Sequence, residues 1–253
     1  GSRVGGLLPK TCQTIPSLGK SSLRHLYDSV STDCPVAVMV SDDTRDVVEA
    51  ELGTVPDYFP QESVPCYDES GDLWGIAPSG HGAVYTALQE SGILEKWSED
   101  YVDYVIISLS DNPAMQVADP LFVGCYSSNT VLVKVILREE DDPAGLVLKA
   151  SEDDYFIVDY RSPFWGTSAS YGYTGLQMMD INTLKMQSFA LPWRSSLSHG
   201  VVKYEKHLGD VVEVIPPRFF HVGRDEFTPI KNPSGKWSIQ QIEEAAGGSM
   251  EVV

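Results

Sequence analysis

Positive charge is scarce in this 253-residue chain: Lys and Arg number 18 against 36 Asp and Glu, for a net charge of −18 at pH 7. A body of that sign repels nucleic-acid backbones and anionic lipid surfaces, so broad contact with nucleic acid or membrane is excluded. Any phosphate-rich ligand then requires a local basic pocket. Long hydrophobic runs are missing too: none reaches the roughly 18 to 20 residues that span a bilayer. No signal-peptide pattern stands at the amino end. The four cysteines, Cys12, Cys34, Cys66 and Cys125, share no short spacing. That argues against zinc and for free thiols in a reducing cytoplasm, with disulfides as the alternative. His25, His199, His207 and His221 have no metal-site spacing, and no G-x-S-x-G nucleophile elbow occurs. Hydrophobic content of 42% and charged content of 21% are those of an ordinary globular chain.

The first 125 residues alternate between strand and helix patterns. A helix is expected over 19–31 with Leu23, Leu26, Tyr27 and Val30 on one face, then a continuous apolar strand over 35–40. Ser41 to Thr44 caps a second helix carrying Val47, Val48 and Leu52, and Pro56 to Pro60 reads as a short strand. A helix over 81–94 and a strand over 102–109 follow. Strands are further expected over 131–137, 145–149, 155–160 and 218–222, with helices over 181–187, 206–213 and 238–246. Glu139 to Asp142 reads as a solvated hairpin turn. Apolar strands separated by amphipathic helices imply an α/β fold with a mixed, mostly parallel sheet flanked by helices. We read one domain over 1–253, with halves at 1–125 and 126–246 and a frayed tail over 247–253.

Four segments carry candidate chemistry. Gly1-Ser2-Arg3-Val4-Gly5 through Pro9-Lys10 combines glycines with two cations, the composition of a phosphate-cradling loop, although Gly-Ser is also a cloning scar. Ser79-Gly80-His81-Gly82 opens a helix, either as a simple tight turn or as a loop offering N–H donors. Asp111 ends an apolar strand, where open α/β sheets place ligand chemistry; it is a cap before Pro113 or a ligand for a divalent cation. Arg224 to Asn232 is a charged loop after a strand, and Lys231 is its residue free of a neighbouring carboxylate in sequence. Phe164, Trp165, Tyr171 and Tyr173 stack on a base or sugar, or pack in the core.

In order, these segments resemble the eukaryotic-type UDP-sugar pyrophosphorylases, especially the UDP-N-acetylhexosamine pyrophosphorylase branch. The family's G-T-R-L-G…P-K loop resembles Gly1-Ser2-Arg3-Val4-Gly5…Pro9-Lys10, its M-T-S…T strand end Met39-Val40-Ser41…Thr44, and its F-x-Q Phe59-Pro60-Gln61. A-P-D-G-N-G-G-x-Y-x-A-L is matched from Ala77 to Leu88, and V-D-N…V-A-D-P-x-F-I-G by Ser110-Asp111-Asn112…Val117 to Gly124. P-V-G-V-V is echoed at Pro143 to Val147, V-E-Y at Val158-Asp159-Tyr160, and R-E-D-E-F-S-P-L-K-N from Gly223 to Asn232.

The resemblance implies a nucleotide-diphospho-sugar transferase fold (GT-A, Rossmann-like) and transfer of a uridylyl group from UTP to a sugar 1-phosphate, with Mg²⁺. It implies that Arg3 and Lys10 hold the UTP phosphates within the loop of Gly1, Ser2 and Gly5. Gln61 and Gly80 would read the uracil edge with His81 beside the nucleotide, and Asp111 would hold Mg²⁺. Lys231 would clamp the sugar phosphate, and Gly145, Asp159 and Gly175 would line the sugar pocket. The chain departs from the pattern at several points. Its first residue falls inside the phosphate loop, so the strand that feeds that loop is outside the sequence. His81 replaces an Asn, Tyr173-Thr174-Gly175-Leu176-Gln177 stands for N-A-G-N-I, and Tyr204 to Asp210 lacks both Phe of M-E-K-F-V-F-D. A non-catalytic nucleotide- or UDP-sugar-binding homologue is therefore the alternative to an enzyme, with a glycosyltransferase third. The identity of the sugar and the oligomeric state stay open.

Overall fold

The computed structural model describes residues 8–30, 32–152, 154–160, 170–198, 200–232 and 234–248. Gly1, Ser2, Arg3 and Gly5, the aromatic pair Phe164 and Trp165, and residues 249–253 of the expected tail lie outside the described residues.

Two short antiparallel strands, β1 (Thr14–Ile15) and β2 (Lys20–Ser21), lead into α1 (Ser22–Ser29). Ser21 caps this helix by accepting from the Arg24 amide at 3.0 Å, which satisfies one of the orphan first-turn donors. A β-α-β unit follows. Strand β3 (Ala37–Val40) and strand β4 (Asp57–Pro60) pair in parallel around α2 (Arg45–Leu52). Val48 and Leu52 of that helix bury against Leu23, Val40 and Cys12. Strands β5 (Ser63–Asp68) and β6 (Leu73–Pro78) then form an antiparallel hairpin. The expected helix over 81–94 is a 3₁₀ turn, His81–Ala83, running into α3 (Val84–Glu90), and Ser91-Gly92 separates it from α4 (Ile93–Glu99).

The larger sheet holds β7 (Tyr104–Ser108), β8 (Val131–Leu137), β9 (Gly145–Lys149), β10 (Tyr155–Val158), β11 (Tyr171–Asp180) and β14 (Pro217–His221). Its order is β10-β9-β11-β8-β14, with β7 also paired to β11. Helix α5 (Pro120–Gly124) lies between β7 and β8, and α6 (Ile181–Met186) follows β11. Strands β12 (Arg194–Ser198) and β13 (Val201–Glu205) extend the β5–β6 hairpin to four strands, and α7 (Ile239–Gly248) comes last.

The mixed sheet with flanking helices stands, but "mostly parallel" needs correction. Among the described residues only β3–β4 and β8–β14 pair in parallel; β11 runs antiparallel to β7, β8 and β9. Burial on both faces gave these strands the continuous apolar runs usual in parallel sheets, and burial does not encode direction. A second correction concerns Glu139 to Asp142. Strands β8 and β9 are not hairpin partners, because β11 lies between them. Asp142 is fully buried and accepts from the Arg224 guanidinium (Nη2 to Oδ1, 2.9 Å) and from the Glu139 amide at 2.7 Å.

The main core joins β7, β8 and β11 to α3, α4 and α6 through Val105, Ile107, Val133, Met179, Tyr85, Leu94, Trp97 and Leu184. Tyr173 belongs to this core and donates to Gln177 at 2.8 Å, whose amide in turn donates to Tyr85. Burial raises the pKa of both tyrosines well above the ordinary value. The core reading of Tyr173 is the correct one, while Tyr171 lies edge-on to His221 at the surface. Among the described residues, no helix is long and apolar enough to cross a membrane.

Candidate functional site

The chain converges where strands end. Gln61 follows β4, Ser79 and Gly80 follow β6, Asp111 lies three residues beyond β7, Asp159 follows β10, and Lys206 and His207 follow β13. The loop after β14 returns with a 3₁₀ turn, Arg224–Glu226, and carries Lys231. Carboxyl ends of strands in open α/β sheets form crevices for ligands.

Lys10, Asp111 and Lys231 meet directly. The Lys231 ammonium donates to Asp111 Oδ2 at 2.6 Å, and Lys10 donates to the same oxygen and to the Ile230 carbonyl at 2.7 Å. Backbone holds the pair of loops as well, the Ile230 amide donating to the Asp111 carbonyl at 2.7 Å. Burial alone raises the Asp111 pKa; the Lys231 and Lys10 charges outweigh it and hold the carboxyl well below the usual carboxylate range. The two ammonium groups therefore favour the ionised carboxylate, and they stand where an anionic ligand could replace it.

Asn112 fixes the approach of the Lys231 loop. Its side chain donates to the Glu226 carbonyl at 2.8 Å and accepts from the Thr228 amide at 3.0 Å. Below it, Lys134 in the middle of β8 is fully buried and pairs with Glu226 (2.8 Å) and Asp119 (3.1 Å). Asp119 also caps α5 by accepting from the Leu121 amide at 2.9 Å. Sequence reasoning missed this network. Its signal was present in Val131-Leu132-Val133-Lys134-Val135-Ile136-Leu137, since a lysine inside such a strand must find carboxylates.

A second group forms the other wall. Gln61 Nε2 donates to the Gly80 carbonyl at 2.7 Å, which fixes the amide against this loop. Gly80 has φ +90, and a Cβ there would fall 2.5 Å from the Lys206 carbonyl oxygen; one at Gly82 would fall 2.7 Å from the His207 carbonyl carbon. Both glycines are thus required by the close approach of the loop to residues 206 and 207, tied by Gly82 N to Lys206 O (2.8 Å) and Lys206 N to Ser79 O (2.7 Å).

His81 is exposed as a residue, while its ring lies against His207 and the Leu208 amide. Loss of water around the ring, then the neighbouring His207 and Lys231, lower its pKa, against the opposing pull of Asp111 and Asp159. Its Nδ1 accepts from the Leu208 amide at 2.8 Å, so the neutral ring carries its proton on Nε2. His81 and His207, two of the departures noted above, are neighbours with ring centroids 5.5 Å apart.

The remaining expected residues are less directly joined. Gly145 heads β9, where a Cβ would fall 2.9 Å from Ile157 Cγ2, so its open side is filled by that side chain. Gly175 (φ +93) sits in the register shift of β11 and presses on Leu109, whose amide donates to its carbonyl at 2.9 Å. Among the described residues, no three His, Cys, Asp or Glu side chains cluster to hold a metal ion. Asp111 offers a carboxylate oxygen beside Lys10 and Lys231. That donor set suits a Mg²⁺ coordinated chiefly by substrate phosphates rather than by a protein cage.

The fold defines a class. The chain superposes on a crystal structure of the uridine diphosphate N-acetylglucosamine pyrophosphorylase from Trypanosoma brucei with a TM-score of 0.72 and 21% identity, over 96% of this chain and 62% of that one. A UDP-glucose pyrophosphorylase from Leishmania major, solved in complex with UDP-glucose, gives 0.71 and 18% over 90% and 61%. The fold is that of the nucleotide-sugar pyrophosphorylases. Residues 21–162 match the family model described as UTP–glucose-1-phosphate uridylyltransferase, and the chain belongs to that family. Among curated relatives, UDP-N-acetylglucosamine diphosphorylase 2 of Arabidopsis thaliana is 27% identical over 223 residues, 73% of this chain and 44% of its own length. The UDP-N-acetylglucosamine pyrophosphorylase of Saccharomyces cerevisiae is 27% identical over 191 residues, 63% of this chain and 40% of its own. The chain thus spans less than half the length of these two relatives.

Proposed function

We propose that this chain carries the transfer site of a UTP:sugar-1-phosphate uridylyltransferase. The observation that carries the reading is the convergence of Lys10 and Lys231 on Asp111 at the end of β7. A phosphate oxygen of the sugar 1-phosphate attacks the α-phosphorus of UTP in line. The new P–O bond forms as the bond to the β-phosphate oxygen breaks, and pyrophosphate leaves. Such a step asks little covalent chemistry of the protein; it asks that two anions be held together and their charge spread.

Lys10, with Arg3 ahead of it, holds the UTP phosphates, and Lys231 holds the sugar phosphate. In the resting site the two ammonium groups share the single Asp111 carboxylate and keep a net positive charge, so incoming phosphates are drawn to them and displace the carboxylate. Asp111 would hold Mg²⁺, which would supply Lewis-acid polarisation of the phosphate. Gln61 and the Gly80 loop receive the uracil edge, and Asp159 accepts from a sugar hydroxyl. A cytoplasmic location agrees with the four free cysteines, Cys12, Cys34, Cys66 and Cys125.

The test is Mg²⁺-dependent pyrophosphate release from UTP over a panel of neutral and N-acetylated sugar 1-phosphates. Release with at least one sugar supports the proposal. UTP binding without turnover on any sugar, from the longest available coding sequence, would replace it with the non-catalytic reading.

A further inference from the structure

Lys134 is fully buried, yet it is absent from every step above. Its ammonium has three protons and three acceptors: Glu226 Oε2 at 2.8 Å, the Gln116 carbonyl at 2.8 Å and Asp119 Oδ2 at 3.1 Å. A saturated ammonium with no open side has no proton to offer a substrate. What it does have is position. Gln116 and Asp119 belong to the segment that begins with Asp111, and Glu226 to the loop that ends in Lys231. Glu226 closes the link by accepting from the Gln116 amide at 3.2 Å.

We propose that Lys134 is a positioning residue of the site alongside Asn112, a buried strut on β8 that sets how closely Lys231 approaches Asp111. The two loops lie 115 residues apart in sequence (226 − 111); Asn112, the Gln116 amide on Glu226 and the Ile230–Asp111 backbone bond tie them at single points, whereas the Lys134 ammonium gathers both from one strand. β8 supports such a strut, since Val131 to Ile136 are all buried and the strand lies between β11 and β14, with Lys134 itself in register with Phe220 of β14. A charge was needed there because it gathers two carboxylates and a carbonyl from separate segments, which an apolar side chain would not do. The proposal rests on the phosphate-binding role given to Lys231.

The test is a double-mutant cycle with inorganic phosphate as the probe, standing in for the phosphate of the sugar substrate at Lys231, read by calorimetry and, where turnover exists, as kcat/KM for the sugar 1-phosphate. Lys134→Met and Lys231→Met are each expected to weaken binding about tenfold, and the double variant no more than about twofold beyond Lys231→Met. A residue that merely supports the fold would lower both backgrounds by the same factor. Losses that multiply to about a hundredfold therefore overturn the proposal, as does a Lys134→Met protein within twofold of the unaltered chain. Glu226→Gln, uncharged and nearly isosteric, repeats the cycle if Lys134→Met fails to fold, with the same non-additivity expected. If the unaltered chain binds no inorganic phosphate at all, the role of Lys231 and the strut fall together. If it binds and the losses multiply, the strut alone falls.

Discussion

Lys231 donates to Asp111 Oδ2 at 2.6 Å across 120 residues of chain, and Lys10 shares that oxygen. One carboxylate thus stores two ammonium groups in a site otherwise embedded in an acidic body. The arrangement explains how a chain of net charge −18 can present a phosphate site at all. The cations are held locally on one carboxylate until a stronger anion displaces Asp111.

Asp111→Asn is the direct probe. It removes the charge that both lysines pair with, so stability at pH 7 should fall by about 2 kcal/mol in a urea titration. The folded pKa of Asp111 is depressed, so its contribution is fully present above the unfolded value near 4 and is lost as pH falls below it. The variant should therefore lose stability less steeply below pH 4 than the unaltered chain. On the proposed reaction, kcat/KM should drop roughly a hundredfold or more. Unchanged turnover would remove Asp111 from the chemistry and leave it a structural counter-ion.

Gly80→Ala tests the other wall. The substitution combines φ +90 with a Cβ 2.5 Å from a backbone oxygen, which no rotamer can relieve. A cost of about 2–3 kcal/mol is expected, visible as a lowered melting temperature. Because the strain is released by moving the 79–82 loop away from Lys206 and His207, UTP affinity should weaken in the same variant. A Gly80→Ala protein as stable as the original would show that the loop is not held as described.

Much of this was legible beforehand, and the pattern of success is physical. Strands β8 and β9 were placed to the residue because uninterrupted apolar runs between turn residues leave little choice of ends. The loops bearing Asp111 and Lys231 were found through local motif order. Strands β5, β6, β12 and β13 were missed; they contain Pro65, Gly75 and a Ser-Ser pair, and their half-exposed faces show no clean alternation. The central strand β11 was hidden by Gly172 and Gly175, which are there because Ala144 and Leu109 press on them. Those approaches are tertiary, and nothing local announces them. The same holds for Lys134 and for the burial of Asp142.

His81 makes an acid-side prediction. Its folded pKa, lowered to about 3, lies below the unfolded value near 6.5. Folding then excludes a proton that the unfolded chain takes up, so the contribution is fully present above pH 6.5 and is lost progressively toward pH 3. His81→Asn should flatten the decline in melting temperature between pH 7 and pH 4. The pH–rate profile between pH 5 and pH 8 should show no inflection that disappears in this variant. An imidazole titration by NMR assigned to His81 near its ordinary value, or a proton found on Nδ1, would contradict the Leu208 hydrogen bond.

Arg224→Ala separates support from chemistry on the Lys231 loop. Arg224 is about one-third exposed, but its partner Asp142 is fully buried, and the guanidinium also donates to the Leu137 carbonyl at 3.2 Å. Truncation strands the Asp142 carboxylate with the Glu139 amide as its remaining partner among the described residues. The expected loss is about 3 kcal/mol in urea unfolding, near the lower end for breaking a buried pair because water can reach the vacated side. Asp142→Asn in the same background should recover part of it, since the unpaired charge is then gone. Inorganic phosphate affinity should change by less than about threefold, because the Lys231 side of the loop is held independently by Asn112 and Glu226. A large affinity loss alongside intact folding would instead make Arg224 part of the phosphate site.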